Sequence, residues 1–242
     1  VEDMKQKVSD YIADRLAQEG ISQVFTVTGG GAMHLNDSLG HHPGLSCLYH
    51  HHEQAAAMAA EAYARVDNRM AAVCVTSGPG ATNAITGALC AWMDSIPMLV
   101  LSGQVRYDTT VRHSGLKIRT MGVQEYDITP SVEPMTKYAV MVTDPLTIRY
   151  HLERAIYLAK TGRPGPCWLD LPLNVQSAVV ETDDLKAYDP SEDAKELPAP
   201  VSEETVKQIL EKLKLASQPL IFAGHGTRLA GAYDEFQHLV EL

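Results

Sequence analysis

The chain has 242 residues, of which 45% are hydrophobic and 21% charged, values that suit a globular protein with a sizeable core. The formal net charge is −10 and the 20 Lys and Arg form no stripe that could track phosphates, so nucleic acid is excluded as an expected partner; no apolar run reaches membrane-spanning length, so a membrane is excluded too. Cys47, Cys74, Cys90 and Cys167 are far apart with no CxxC pair, which reads as buried free thiols in a reducing, cytoplasmic setting rather than a disulfide or metal framework.

The opening VEDMKQKVSD is charged and amphipathic, unlike a signal peptide. Met4, Val8, Ile12 and Leu16 stand at helical spacing with Tyr11 on the same side, and Gly20 offers the stop. Residues 24–27 read as a buried strand running into Gly29-Gly30-Gly31 and a helix over about 32–39. Residues 45–49 read as a short strand, after which Glu53 opens an alanine-rich helix. A strand over 71–75, a tight turn at Ser77-Gly78-Pro79-Gly80, a helix over 81–93 and a strand over 97–101 follow. Residues 103–130 are polar and irregular, and a connection that long is uncommon unless it has a task. Asp144-Pro145 supplies a cap and a first helical proline for a helix reaching about Lys160, and residues 167–171 close the set as the last strand.

This alternation predicts an α/β fold: a doubly wound, mostly parallel six-stranded sheet with helices on both faces, over residues 1–180. Ligands of such sheets sit at the carboxyl ends of the strands, so the residues just after each strand are the candidates. From 181 to 200 the sequence is acidic and holds Pro190, Pro198 and Pro200, which reads as a linker. Beyond it, Ser202 can cap a helix with Val206, Ile209, Leu210 and Leu213 on one face, and residues 220–223 read as a strand before a final helix. One strand with its helices is too little for a core, so 201–242 is expected to be the truncated start of a second α/β domain.

Three features carry candidate chemistry. Glu53 lies in the first turn of its helix, where the dipole favours a carboxylate, and the small residues behind it allow close packing and partial burial. Ser77-Gly78-Pro79-Gly80 lets the backbone turn sharply and approach a ligand. Gly29-Gly30-Gly31 lacks the GxGxxG spacing, so its match to a dinucleotide fingerprint is weak. His50, His51 and His52 alternate about a strand end and bring no carboxylate or cysteine pattern, so no metal site is expected. Asp94 and the pair Arg163/Asp170 read as structural charges.

Taken together, GGGAM (29–33), HHEQAAAMAAEAYAR (51–65), TSGPGATNAITG (76–87), DSIPMLVLSGQV (94–105), VQE (123–125) and TGRPGPCWLDLP (161–172) occur in the order of one family. The set resembles the thiamine diphosphate-dependent decarboxylases and carboligases, acetolactate synthase above all, over about residues 4–180. PLIFAGHGTRLAGA (219–232) looks like the start of the family's central domain. The resemblance implies a flavoprotein-like fold whose 1–180 region binds the aminopyrimidine of thiamine diphosphate. It implies that Glu53 hydrogen-bonds the ring nitrogen N1′, favouring the imino tautomer whose 4′-nitrogen takes the thiazolium C2 proton. It further implies that Thr28, Gly29, Gly30, Pro79 and Asn83 line the cofactor pocket, and that His52, Gln104, Val123 and Gln124 face a 2-oxo acid substrate. Mg2+ and the diphosphate would be held by a domain with a Gly-Asp-Gly…Asn motif, expected to lie outside this chain. A homodimer or homotetramer would complete the pocket; the residues carry no reading for or against FAD.

The sequence departs from the acetolactate synthases at Val27-Thr28, in the length of 106–122, and at Val123, where the family has an aromatic residue. These positions shape the substrate pocket, and they keep open a thiamine diphosphate-dependent lyase acting on 2-hydroxyacyl thioesters. A non-catalytic nucleotide-binding Rossmann-like module is the reading from a different class; the poor glycine spacing counts against it.

Overall fold

A computed structural model of the chain describes residues 5–196 and 199–241. They fall into two units, one up to Ala194 and one from Lys195 onward. In the first unit the elements are β1 (Lys5–Lys7), α1 (Val8–Gln18), β2 (Gln23–Thr26), α2 (Met33–His41), β3 (Ser46–Tyr49), α3 (Glu53–Asp67), β4 (Ala71–Val75), α4 (Pro79–Asn83), α5 (Ile85–Asp94) and β5 (Met98–Gln104). There follow α6 (Val111–Ser114), α7 (Thr129–Val132), β6 (Tyr138–Met141), α8 (Ile148–Lys160), β7 (Pro166–Pro172), α9 (Leu173–Gln176) and β8 (Val179–Glu181).

Six strands form one sheet in the order β3-β2-β4-β5-β7-β6, every pair parallel. The predicted doubly wound sheet is therefore present. Five of its strands lie on the runs expected to be strands; the sixth, β6, lies on YAVM (138–141), an apolar run not singled out from the sequence. It is an edge strand, and three of its four residues are only half-buried. The first helix begins at Val8 rather than near Met4, because Lys5–Lys7 pair antiparallel with β8 as a separate two-stranded ribbon; Met4 itself lies outside the described residues.

Successive strand residues point to opposite faces, and the two faces carry different cores. In β4, Ala72 and Cys74 join the core that holds Ile12, Leu16, Leu35, Leu39, Ile148 and Leu152. Ala71, Val73 and Val75 join the other, where α3 and α5 contribute Ala56, Ala57, Ala60, Ala88 and Ala91. Short side chains let those two helices lie close to each other and to the strands. The chain runs from β2 outward to β3 and then returns to β4 on the far side of β2. The strand order thus reverses between β2 and β4, and that is where an open parallel sheet leaves a crevice at its carboxyl end.

Residues 181–193, expected to be linker, lie on the first unit. Leu185 and Tyr188 are buried, and Arg154 grips the Asp193 carboxylate through Nε at 2.9 Å and a terminal nitrogen at 2.7 Å. Tyr188 donates its hydroxyl to the same carboxylate at 2.6 Å. In the second unit Ser202 caps α10 (Glu203–Leu215), accepting from the Thr205 amide at 3.1 Å, and α11 (Gly226–Leu229) and α12 (Tyr233–Glu241) follow. The strand expected over 220–223 does not form: among the described residues this unit offers no other strand to pair with, and Leu220 and Phe222 are exposed.

Candidate functional site

Four segments meet at the carboxyl end of the sheet: 27–31 after β2, 50–53 after β3, 76–80 after β4 and the chain leaving β5. After β3 the backbone turns at His52, whose extended conformation lets its ring Nδ1 accept from the Gln54 amide at 3.2 Å and cap α3. Glu53 is therefore the first residue of a fifteen-residue helix, half-buried, with its carboxylate in the favourable field of the helix N-terminus. Asn83, the last residue of α4, donates to Glu53 Oε2 at 2.9 Å. Oε1 has no protein partner among the described residues.

The glycines set the space around that carboxylate. A Cβ on Gly80 would collide with Thr76 Cγ2 at 2.7 Å and touch Glu53 Oε1 at 3.4 Å, so the glycine is needed against Thr76 and lies directly beside the oxygen. Gly29 lies so close to the Thr76 side chain that any Cβ there would collide with it. Thr76 also accepts from the Gly31 amide at 3.0 Å, and Gln176 donates to the Gly31 carbonyl at 2.7 Å. The turns after β2 and β4 are thereby locked together across the switch point. Thr76 and Gln176 were not singled out from the sequence; a polar residue directly after an apolar strand was the available sign for Thr76.

Gly78 has φ +56° and ψ −117°, a conformation reserved for glycine, and a Cβ on it would run into the carbonyl oxygen of Gln124. The 76–80 turn and the VQE segment are therefore in contact. Of the other expected site residues, Thr28, Gly30 and Pro79 are exposed on the same turns, and His52 is exposed beside Glu53. Val123 is 84% exposed and Gln124 is exposed next to it, on the segment that touches Gly78. Gln104 differs: it is buried, and its amide is committed to the protein. Its Nε2 donates to the Tyr126 carbonyl at 2.8 Å and to Asp170 Oδ2 at 3.1 Å, while its Oε1 accepts from the Val105 amide at 3.0 Å.

Asp170 anchors a buried polar chain. Trp168 donates to the Ser102 hydroxyl at 2.8 Å, and Ser102 donates to Asp170 Oδ1 at 2.6 Å. Burial pushes the Asp170 carboxyl up to about 7, against the opposing pull of its Ser102 and Gln104 hydrogen bonds. The Arg163/Asp170 pair suggested by the sequence is not made. Arg163 donates to Ser95 at 2.7 Å, whereas parallel registration sets Asp170 opposite Ser102. Among the described residues no group of three His, Cys, Asp or Glu could hold a metal ion, and no helix is long and apolar enough to cross a membrane.

The site thus offers a carboxylate oxygen with no protein partner among the described residues, beside closely packed glycine turns. Residues 6–125 match the family described as thiamine pyrophosphate enzyme, N-terminal TPP binding domain. The chain is 35% identical over 238 residues to the acetolactate synthase large subunit of Lactococcus lactis, covering 96% of this chain and 39% of that protein. Against acetolactate synthase isozyme 3 large subunit of Escherichia coli it is 32% identical, covering 96% of this chain and 39% of the relative. Against acetolactate synthase 1 of rice chloroplasts it is 33% identical, covering 98% and 35%. The chain spans about two fifths of the length of the curated relatives it matches.

Proposed function

Since this chain carries the N-terminal TPP-binding domain of the thiamine pyrophosphate enzymes and is homologous to acetolactate synthase large subunits, we propose that it is the pyrimidine-binding part of a carboligase or decarboxylase acting on 2-oxo acids. The observation that carries this reading is Glu53, placed at the head of α3 with Oε2 held by Asn83 and Oε1 turned free beside Gly80. Thiamine diphosphate, when bound, supplies the nucleophilic carbon and the electron sink that 2-oxo acid chemistry requires. The protein's task here is to hold a proton at N1′ of the pyrimidine, and Glu53 Oε1 is the atom for it. Asn83 keeps the carboxylate from turning away, and the helix dipole supports its charge.

Thr28, Gly29, Gly30 and Pro79 line the ring with Asn83; His52, Val123 and Gln124 face the substrate, and Gln104 acts through the loop it holds. In this reading residues 1–180 are the pyrimidine-binding domain, 181–200 the connection and 201–242 the start of a central domain. A further part of the enzyme supplies Mg2+ and the diphosphate groove, and a homodimer or homotetramer completes the pocket. The exposed Leu48, Met58, Leu89 and Trp92 on β3, α3 and α5 support such self-association. A second substrate class, 2-hydroxyacyl thioesters, is favoured by one feature, the long 106–122 excursion with exposed Leu116, Ile118 and Met121.

The test is hydrogen–deuterium exchange at C2 of bound thiamine diphosphate in the full-length enzyme, wild type against Glu53→Gln. Gln fills the same volume but cannot share an ionisable proton, so exchange is expected to slow by roughly two to four powers of ten while cofactor still binds. Equal rates would remove Glu53 from the mechanism.

A further inference from the structure

Gln124 stands in a left-handed conformation, φ +57°, that residues other than glycine rarely adopt. It is exposed, and its own carbonyl rests on Gly78. What holds it lies on either side. Before it, the excursion from β5 folds around the neighbouring Glu125. Glu125 Oε1 accepts from the Val111 amide at 2.7 Å; Oε2 accepts from the Met121 amide at 2.8 Å and the Gly122 amide at 3.3 Å. After it, the Tyr126 carbonyl accepts from Gln104 Nε2 at 2.8 Å, and Gln104 is in turn backed by the buried Asp170.

We propose that Glu125 and Gln104 are positioning residues that grip the chain on both sides of Gln124 and so fix the wall that residues 122–126 present to the Ser77–Gly80 turn. The chemistry of each residue fits the task. A carboxylate is acceptor-only, so its two oxygens can gather three backbone N–H groups from two separate parts of the loop. The Gln104 amide offers donors for both the loop carbonyl and Asp170, and keeps an acceptor for its own strand end. The pair ties the loop to β5 rather than leaving it to follow solvent. The functional half of this assignment rests on the reading that the 76–80 turn borders the cofactor.

Glu125→Gln is the direct test, because one oxygen becomes an NH2 that must face a backbone N–H. In the full-length protein, amide exchange at Val111, Met121 and Gly122 is expected to speed up by about tenfold, the scale of one lost hydrogen bond. With pyruvate as the probe 2-oxo acid, kcat/KM is expected to fall by about tenfold, while C2 exchange of bound thiamine diphosphate stays within about twofold of wild type. Val111→Pro supplies a milder variant if Glu125→Gln fails to fold. It deletes a single donor at the first position of α6, where proline is tolerated, and Thr110 before it already has an extended backbone (φ −96°, ψ 150°). A smaller loss in the same direction is expected there. Unchanged amide exchange would overturn the grip itself. Faster amides with unchanged kcat/KM, or C2 exchange falling in step with kcat/KM, would overturn the positioning role. A wild-type protein with no C2 exchange would instead sink the enzyme reading, and the amide measurement would still decide the grip.

Discussion

At the β2/β4 side of the sheet's carboxyl end, Glu53 is half-buried, with one oxygen on Asn83 and the other without a protein partner among the described residues. At the β5/β7 side, Asp170 is fully buried, with its oxygens bonded to Ser102 and Gln104. Both carboxyls belong to the carboxyl-end side of one parallel sheet, Asp170 within β7 and Glu53 at the head of the helix after β3, and they are treated in opposite ways. A buried polar group whose bonds are all made by the protein has nothing left to offer a ligand; its energy goes into one fixed arrangement. A carboxylate at a helix head with a spare oxygen is incomplete until something binds. Spare bonding capacity, rather than burial, separates the proposed reactive side of this crevice from its scaffold.

The comparison breaks most visibly if Asp170 can be removed cheaply. Asp170→Ala leaves the Ser102 hydroxyl and the Gln104 amide with a buried donor each and opens a void. The expected loss is roughly 2–4 kcal/mol, read as a lower urea midpoint at unchanged slope. Asp170→Asn should cost much less. Its oxygen still accepts from one of the two donors, Ser102 or Gln104, and its amide fills the volume that alanine leaves empty. An alanine variant as stable as wild type would show that the buried chain is not what holds β5 to β7.

The next effect is the pH dependence that the same group imposes. In the folded protein the Asp170 carboxyl is pushed from its ordinary 3.8 up to about 7 by burial, with the nearby Asp127 charge adding to it and Arg112 opposing it. The folded state then binds this proton more tightly than the unfolded chain does. Its contribution to stability is complete below about pH 4 and is lost as pH rises through about 7. Between pH 5 and pH 8 the loss should come to roughly 2–3 kcal/mol. Asp170→Asn, which has no proton to lose, should lack this slope. Parallel pH profiles for the two proteins would place the Asp170 carboxyl in its ordinary range.

What the sequence disclosed follows the same divide. Strand and helix alternation exposed the doubly wound sheet, because buried strands such as AAVCV (71–75) and MLVL (98–101) are apolar without interruption. Glu53 was legible because a strand, a short turn and an alanine-rich helix fix it at a helix head. The edge strand β6 carries the same mark in a shorter form, YAVM (138–141), set between a polar irregular stretch and Asp144-Pro145. The Ser102–Asp170 pairing left none, because it depends on β5 lying beside β7, a long-range choice that no local pattern records. Residues 220–223 show the reverse failure: an apolar run that satisfies every local sign of a strand finds no partner strand in its own unit and stays irregular. Gln104 was legible as a polar residue at a strand end, yet its three bonds inside the protein could be seen only once the loop over 122–126 was placed.

The smallest effect sharpens the comparison best. Asn83 donates to Glu53 Oε2 at 2.9 Å but is exposed, so water can take over its bonds when it is lost. Asn83→Ala should therefore change stability by less than about 1 kcal/mol, well below the cost of Asp170→Ala. Its consequence should lie in function. Without Asn83 the carboxylate is freer to turn, Oε1 is no longer held toward the Gly80 side, and C2 exchange of bound thiamine diphosphate in the full-length enzyme should slow by roughly two- to tenfold. Asn83→Asp sets a second negative charge against Glu53 and should slow it further, an effect that added salt would partly relieve. Measuring unfolding midpoint and C2 exchange on the same preparations separates the cases. An Asn83→Ala protein destabilised as much as Asp170→Ala, with exchange unchanged, would make Asn83–Glu53 another structural pair and leave the crevice without the free carboxylate oxygen on which the proposed chemistry depends.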